Sequence, residues 1–196
     1  MTRTRTNRPT ADLACVLRTT RGVEGTTELT PHQVATYLEA SRALIESELR
    51  ALGNDDAGWH PAPGEWCAKG VVGHLIEAEK RGFTGRIRII LESDRPALEA
   101  WDQVDVEKAR NDCARPVADV RSEFRDLRDE SLKLVRSLKS KDLDRAGTHP
   151  KAGELKVRWL LHEWVHHDRT HTKQLLSIAQ ERVWPHMGNA QLFKGE

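Results

Sequence analysis

The densest chemistry in this chain is a run of histidines, His162-Glu163-Trp164-Val165-His166-His167-Asp168-Arg169-Thr170-His171. His162/His166 and His167/His171 are both spaced i, i+4. On a helix this spacing puts two imidazoles on one face, where both can bind one metal ion. The two pairs cannot face the same core. At about 100° per residue, Val157, Leu160, Trp164, Leu175 and Ile178 share a side with His167 and His171. His162 and His166 fall opposite, among Arg158, Arg169, Lys173 and Gln180. The first pair therefore reads as surface and the second as inward. A buried imidazole needs a partner. A carbonyl, or a carboxylate such as Asp168, would satisfy each ring singly; one chelated cation would occupy both.

A third ligand has to come from another helix. His74 sits beside Cys67, Val71 and Ala78, at the flank of an apolar face. With His167 and His171 it would complete three protein ligands with one position open, the arrangement of a catalytic zinc centre. Asp168 is a candidate for orienting a ligand imidazole, or else an exposed charge. Gln174 reads as a buried hydrogen-bonding group between helices. Arg81 and Glu77 continue the outer flank of His74; Arg81 suits either an anionic substrate or a solvated face. Trp66 and Trp164 read as core or pocket walls, Trp59 and Trp101 as loop anchors. His149 either covers the site mouth or holds its loop. Cys67 has no paired base at a diagnostic spacing, so a buried structural thiol is its expected role.

These residues must be held by helices. Thr30-Pro31 gives a hydroxyl cap followed by Pro at the first helical position. Val34, Leu38, Ile45, Leu49 and Leu52 then form a stripe that Gly53 ends. A second helix is expected over about 67–80, after the proline-rich stretch from Trp59 to Trp66; Gly82 and Gly85 weaken its end. Residues 83–115 are ambiguous, with a continuation possible through Ile89-Ile90-Leu91 before Asp94-Arg95-Pro96. A third helix starts near Pro116, with a seam of Val117, Val120, Phe124, Leu127, Ser131, Leu134 and Leu138. Gly147-Thr148-His149-Pro150 reads as loop. The fourth helix runs from about 155 to 183. Strand signals are nearly absent, so an all-α four-helix bundle is expected.

At these positions the sequence resembles the DinB-like superfamily. The resemblance is carried by Trp59-x-Pro61-x-Pro63-Gly64-Glu65-Trp66, Val72-Gly73-His74-Leu75, Pro96, Trp101-Asp102, His149-Pro150 and His167-Asp168-x-x-His171-x-x-Gln174. It covers roughly residues 31–183. It implies a bundle of up-down-down-up topology and a divalent metal, usually zinc or nickel, held by three histidines. Carried over by position, these are His74, His167 and His171. The superfamily includes thiol S-transferases, a mycothiol-dependent maleylpyruvate isomerase and metal-dependent hydrolases, and some members lack metal. The resemblance therefore implies no single reaction. The chain departs from the usual pattern at Cys67, where relatives often carry Ser or Thr as the helix cap.

Composition bounds what remains. The 196 residues carry 31 Lys+Arg against 30 Asp+Glu, a balance that argues against a dedicated nucleic-acid binder. No apolar run is long enough to span a membrane, and the basic start lacks the apolar stretch of a secretory signal. Three widely spaced cysteines, Cys15, Cys67 and Cys113, read as reduced thiols of a cytoplasmic protein. Residues 1–29 are expected to be a mobile extension with a short turn near 13–17, residues 30–183 the bundle, and 184–196 a tail. The leading expectation is a metal-dependent enzyme that transfers a thiol to, or hydrolyses, a small electrophile, with a metal-held thiolate or water as the reacting group. A low-molecular-weight thiol is the cosubstrate in the transfer version, which ranks slightly first. The expected partner is a small-molecule substrate, with a homodimer as a candidate assembly. The rival is a non-catalytic sensor or sequestering module using the same pocket.

Overall fold

The computed structural model describes residues 26–193; the turn expected near 13–17 lies outside them. Helix α1 spans Pro31–Asp56. Thr30 Oγ1 accepts from the Gln33 amide, and the Gln33 side chain accepts from the Thr30 amide. This reciprocal cap satisfies two otherwise unpaired donors. Val34, Leu38, Ile45 and Leu49 are buried as the stripe requires. Gly53, at φ +69°, breaks the helical backbone near the end.

Helix α2, Ala68–Glu77, is buried along its whole length. It widens into a π-helical turn, Ala78–Phe83, and continues as α3, Thr84–Glu92. Of the two glycines expected to weaken this region, Gly85 instead permits the wide turn: a Cβ there would stand 2.2 Å from the Lys80 carbonyl oxygen. A short helix α4, Gln103–Arg110, follows. Helix α5 spans Val117–Ser137 and α6 spans Val157–Val183.

Side-chain pairs between helices fix their directions. Glu39 meets Arg136 and Arg42 meets Asp129, so α1 and α5 are antiparallel. Lys80 meets Glu123 and Arg88 meets Glu130, so the α2–α3 helix runs parallel to α5. Tyr37 lies under Arg169 and Asp56 meets Arg182, so α1 and α6 are parallel. The bundle is up-down-down-up, as the sequence resemblance implies.

Three details differ from the sequence reading. First, residues 147–150 are not all loop. Strands β1, Ala146–His149, and β2, Gly153–Lys156, form an antiparallel hairpin in which Ala146 faces Lys156 and His149 faces Gly153. Four-residue strands are too short for their alternation to register as a pattern. Second, the α5 seam is Val120, Phe124, Arg128, Ser131, Leu132 and Val135, with Leu127 and Leu134 only partly buried. A charged residue occupies the centre of that face, which a count of apolar residues skips. Third, Cys67 and Cys113 form a disulfide with a Cα–Cα distance of 6.2 Å. Wide spacing in sequence hid a pair that folding brings together. The 184–196 tail begins with two 3₁₀ turns, Trp184–His186 and Gly188–Leu192.

The apolar core falls in two clusters. One gathers Leu38, Phe83, Leu160 and Trp164; the other gathers Ile45, Val72, Phe124 and Leu175. Arg128 touches both, with its guanidinium 4.9 Å from the Phe124 ring centre and 5.8 Å from that of Trp164. Among the described residues no helix is long and apolar enough to cross a membrane.

Candidate metal centre

His74 from α2 meets His167 and His171 from α6. One ligand atom from each lies within 4.8 Å of the others. The ring centres are 4.5 Å apart for His74–His171 and His167–His171, and 5.0 Å for His74–His167. The antiparallel crossing of α2 and α6 positions them. Phe83 stacks on Trp164 at 5.1 Å and meets the His167 ring edge-on at 5.4 Å. Trp66, just before the α2 cap, lies 4.9 Å from His74 and 6.2 Å from His171.

The donor set fits a divalent cation. His171 Nδ1 donates to Gln174 Oε1 at 2.9 Å, which leaves the lone pair on Nε2. His74 Nε2 and His167 Nε2 are 3.0 Å apart. Two nitrogens bound to one zinc-like ion at about 2.0–2.1 Å each stand about 3.3 Å apart at a tetrahedral angle. With the cation on Nε2, His167 Nδ1, which is buried and has no protein partner, keeps the ring proton. Burial lowers all three histidines from their ordinary value. His74 falls to about 3, with the charge of His171 adding to burial, and His167 to about 2. His171 is also lowered, although its bond to Gln174 and the charge of Asp168 oppose the shift. The cluster is therefore neutral at pH 7, the protonation state that binds metal.

Asp168 does not orient a ligand imidazole by hydrogen bonding. It is buried and engages Arg128, which also holds buried Glu79 and donates to the Leu38 carbonyl. Asp168 reaches His171 only through its charge. Arg128 and Glu79 escaped the sequence reading because a charged residue on an amphipathic helix is ordinarily assigned to solvent; the i, i+4 spacing of Arg128 from buried Phe124 was the available signal.

The remaining candidates also settle. His166 is exposed. His162 is half-buried rather than surface: Nδ1 donates to the Arg158 carbonyl and Nε2 accepts from the Leu29 amide, pinning the chain ahead of α1. Glu77, expected on an outer flank, is buried and bonded to Arg81 and Arg110. Burial raises its carboxyl, but those arginines outweigh burial and hold it below the ordinary range. Arg81 is half exposed. Gln174 bonds within α6, not between helices. His149 Nδ1 accepts from the Lys151 and Ala152 amides, holding the hairpin turn. Trp101 is more than a loop anchor, lying 6.3 Å from His74. With Gly73, Val106, Glu107 and Arg110 it walls a narrow cleft that reaches His74. A roomier hollow of about 230 Å³, lined by Ser93, Arg95, Asp144 and Lys156, lies by the hairpin away from the histidines.

The chain is similar to several known proteins. A provisionally named metal-dependent hydrolase of Bacillus cereus (strain B4264) is 22% identical over 164 residues, 80% of this chain and 91% of its own length. A protein of Oceanobacillus iheyensis with the same provisional name is 19% identical over 141 residues, 72% of this chain and 81% of its own. Among solved structures, YfiT from Bacillus subtilis, described with equal reserve as a metal-dependent hydrolase with an unusual four-helix bundle topology, superposes with a TM-score of 0.72 at 17% identity, covering 82% of this chain and 92% of YfiT. A histidine-to-alanine variant of the mycothiol-dependent maleylpyruvate isomerase gives 0.61 at 9% identity, covering 75% of this chain and 61% of the isomerase. Residues 10–175 match the DinB superfamily, and the chain belongs to it.

Proposed function

We propose that the chain is a divalent-metal-dependent enzyme acting on a small electrophilic substrate, with His74, His167 and His171 as the metal ligands. The observation that carries this reading is the meeting of three neutral imidazoles, one buried and two half-buried, with His74 Nε2 and His167 Nε2 3.0 Å apart beside a cleft. A zinc- or nickel-class cation held there would make a bound thiol or water acidic near neutral pH.

The protein's own groups do the positioning. Gln174 holds the His171 ring in one tautomer. Trp66, ahead of α2, and Phe83, at the end of its π-helical turn, pack on the histidines from the two ends of α2. Trp101 and Val106 give the narrow cleft beside His74 its apolar wall. Glu77 and Asp168, the two buried carboxylates on the ligand-bearing helices, are committed to arginines. Neither is available to take a proton. Transfer of a low-molecular-weight thiol is the first reading, because a thiol ionises more readily than water and so leans less on a general base. Hydrolysis is the second reading, supported by the names of the relatives and by Glu107, a cleft carboxylate outside every ion pair of the site.

The test is elemental analysis of protein purified without a metal-affinity tag, followed by a screen of electrophiles with and without added thiols. One equivalent of metal in the disulfide form, and thiol-dependent turnover, are expected. Stoichiometry near zero after zinc or nickel resupply would overturn the metal site; metal without turnover in any assay would favour a sensor or sequestering role.

A further inference from the structure

A second set of metal-ligating side chains meets at the start of α2, apart from the histidine triad. Cys67 Sγ, Cys113 Sγ and one ring nitrogen of His60 lie within 4.8 Å of one another. His60 Nδ1 is 2.7 Å from the Glu65 carbonyl oxygen. A carbonyl only accepts, so Nδ1 carries the proton and Nε2 keeps its lone pair. Hydrogen bonds of this kind fix the tautomer of ligating histidines. Cys67 caps α2, its sulfur accepting from the Gly70 amide at 3.3 Å. A helix N-terminus favours the thiolate form of a cysteine placed there. Both sulfurs lie against the first turn of α2, 3.4 and 3.6 Å from where a Cβ at Gly70 would stand. Cys67 is buried, Cys113 is half-buried and His60 is exposed. The outer members of the cluster therefore face solvent, from which a small reductant or a cation arrives.

We propose that Cys67, Cys113 and His60 form a redox-gated binding site for a thiophilic divalent cation of the zinc class, which the reduced pair binds and the disulfide excludes. Two thiolates and a neutral imidazole are ligands such cations prefer. The triad of His74, His167 and His171 offers nitrogen only, so the two sites differ in chemistry and the second does not depend on the first.

The chemistry balances. A dithiol reductant delivers two electrons to the sulfur–sulfur bond; the two cysteines take up two protons and the reductant closes its own disulfide. Cation binding then releases those two protons to solvent as the sulfurs coordinate. A disulfide oxidant reverses both steps: it accepts two electrons from the pair, the bond re-forms and the cation leaves.

The experiment titrates the full chain with Co²⁺ in a Cys15→Ser background, before and after dithiol reduction and removal of the reductant. Thiolate coordination gives a near-ultraviolet sulfur-to-cobalt absorption that a nitrogen-only site does not. We expect this band in the reduced chain, complete by two equivalents because the triad also takes one, none in the disulfide form, and its loss when Zn²⁺ displaces Co²⁺. Cys113→Ser should abolish it, and His60→Ala should weaken the affinity at least about 10-fold. His167→Ala should leave it intact, so failure of the triad and failure of this site are told apart. Absence of the band while both thiols react as free would overturn the proposal. So would a band indifferent to His60→Ala, or loss of helical circular dichroism on reduction that added cation does not restore.

Discussion

Asp168 follows His167 directly in sequence, yet its carboxylate turns away from the histidines and accepts from Arg128 Nη1 at 2.7 Å and Nη2 at 3.2 Å. Arg128 also spans both Glu79 oxygens, at 3.1 and 2.9 Å. One guanidinium thus ties α5 to the π-helical turn and to α6, directly behind the ligand-bearing turn of α6.

Truncating Arg128 should therefore be among the most damaging single changes. Arg128→Leu leaves two buried carboxylates without their cation, and removing one partner of a buried pair costs about 3–5 kcal/mol. Burial already pushes the Glu79 carboxyl upward despite Arg128; without the guanidinium it should protonate. Urea denaturation should show the loss, and adding Glu79→Gln and Asp168→Asn should recover part of it. Unchanged stability in Arg128→Leu would mean that the network is not closed in solution.

Metal affinity should separate the four α6 histidines. His167→Ala and His171→Ala should lose the metal with the helical circular dichroism intact. His166→Ala should change neither metal nor stability. His162→Ala should keep the metal but lose about 1 kcal/mol, the net worth of a hydrogen bond that holds the chain at Leu29. Gln174→Ala, which frees the His171 ring, should weaken binding about 10–100-fold. Equal metal content in all five variants would place the ligands elsewhere.

The division between what the sequence showed and what it hid follows from length scale. The triad was legible because His167 and His171 share a phase with Leu160, Trp164 and Leu175, and because the motif around His74 had a family counterpart. The topology was legible only through that resemblance, since periodicity gives faces and not neighbours. Arg128 and Glu77 were misplaced because burial of a charge depends on partners from other helices. The Cys67–Cys113 pair and the hairpin were hidden for related reasons: one is a contact across 46 residues, the other consists of strands too short to show a period.

The metal-free chain should lose stability as pH falls from about 6.5, the ordinary His value. The folded values of His74 and His167 lie at about 3 and about 2, and that of His171 is also lowered. Between folded and unfolded values the unfolded chain binds more protons, so the stabilisation is complete above about 6.5 and shrinks toward acid, by up to about 1.4 kcal/mol per pH unit for each such histidine. Urea midpoints in chelator at neutral pH and near pH 5 should differ in that direction, and His74→Gln should flatten the slope. Bound metal should move the loss to lower pH, because protons must then compete with the cation for the same lone pairs. A slope that His74→Gln does not change would mean that the imidazole is not buried neutral.

Glu107→Gln should separate the two reactions. Glu107 shares the cleft wall with His74, Trp101 and Arg110. The neighbouring carboxylate Glu77 is held ionised by Arg81 and Arg110, and Asp168 is sealed behind the histidines by Arg128. Where the attacking water is not already ionised by the cation, hydrolysis passes a proton from it to a base as the bond to the electrophile forms, and a positioned carboxylate contributes about 10²–10⁴-fold to such a step. Glu107 is the cleft carboxylate left for that role. Thiol transfer from an ionised thiol has no such requirement. The amide keeps the size of the side chain and removes only its basicity. Turnover of an electrophile in the presence of thiol should therefore survive Glu107→Gln within a few-fold, whereas any thiol-independent hydrolysis should fall by about 10²-fold or more, with metal content unchanged in both assays. Loss of the thiol-dependent rate with hydrolysis spared would reverse the order of the two readings, because the proton-accepting step would then belong to the transfer.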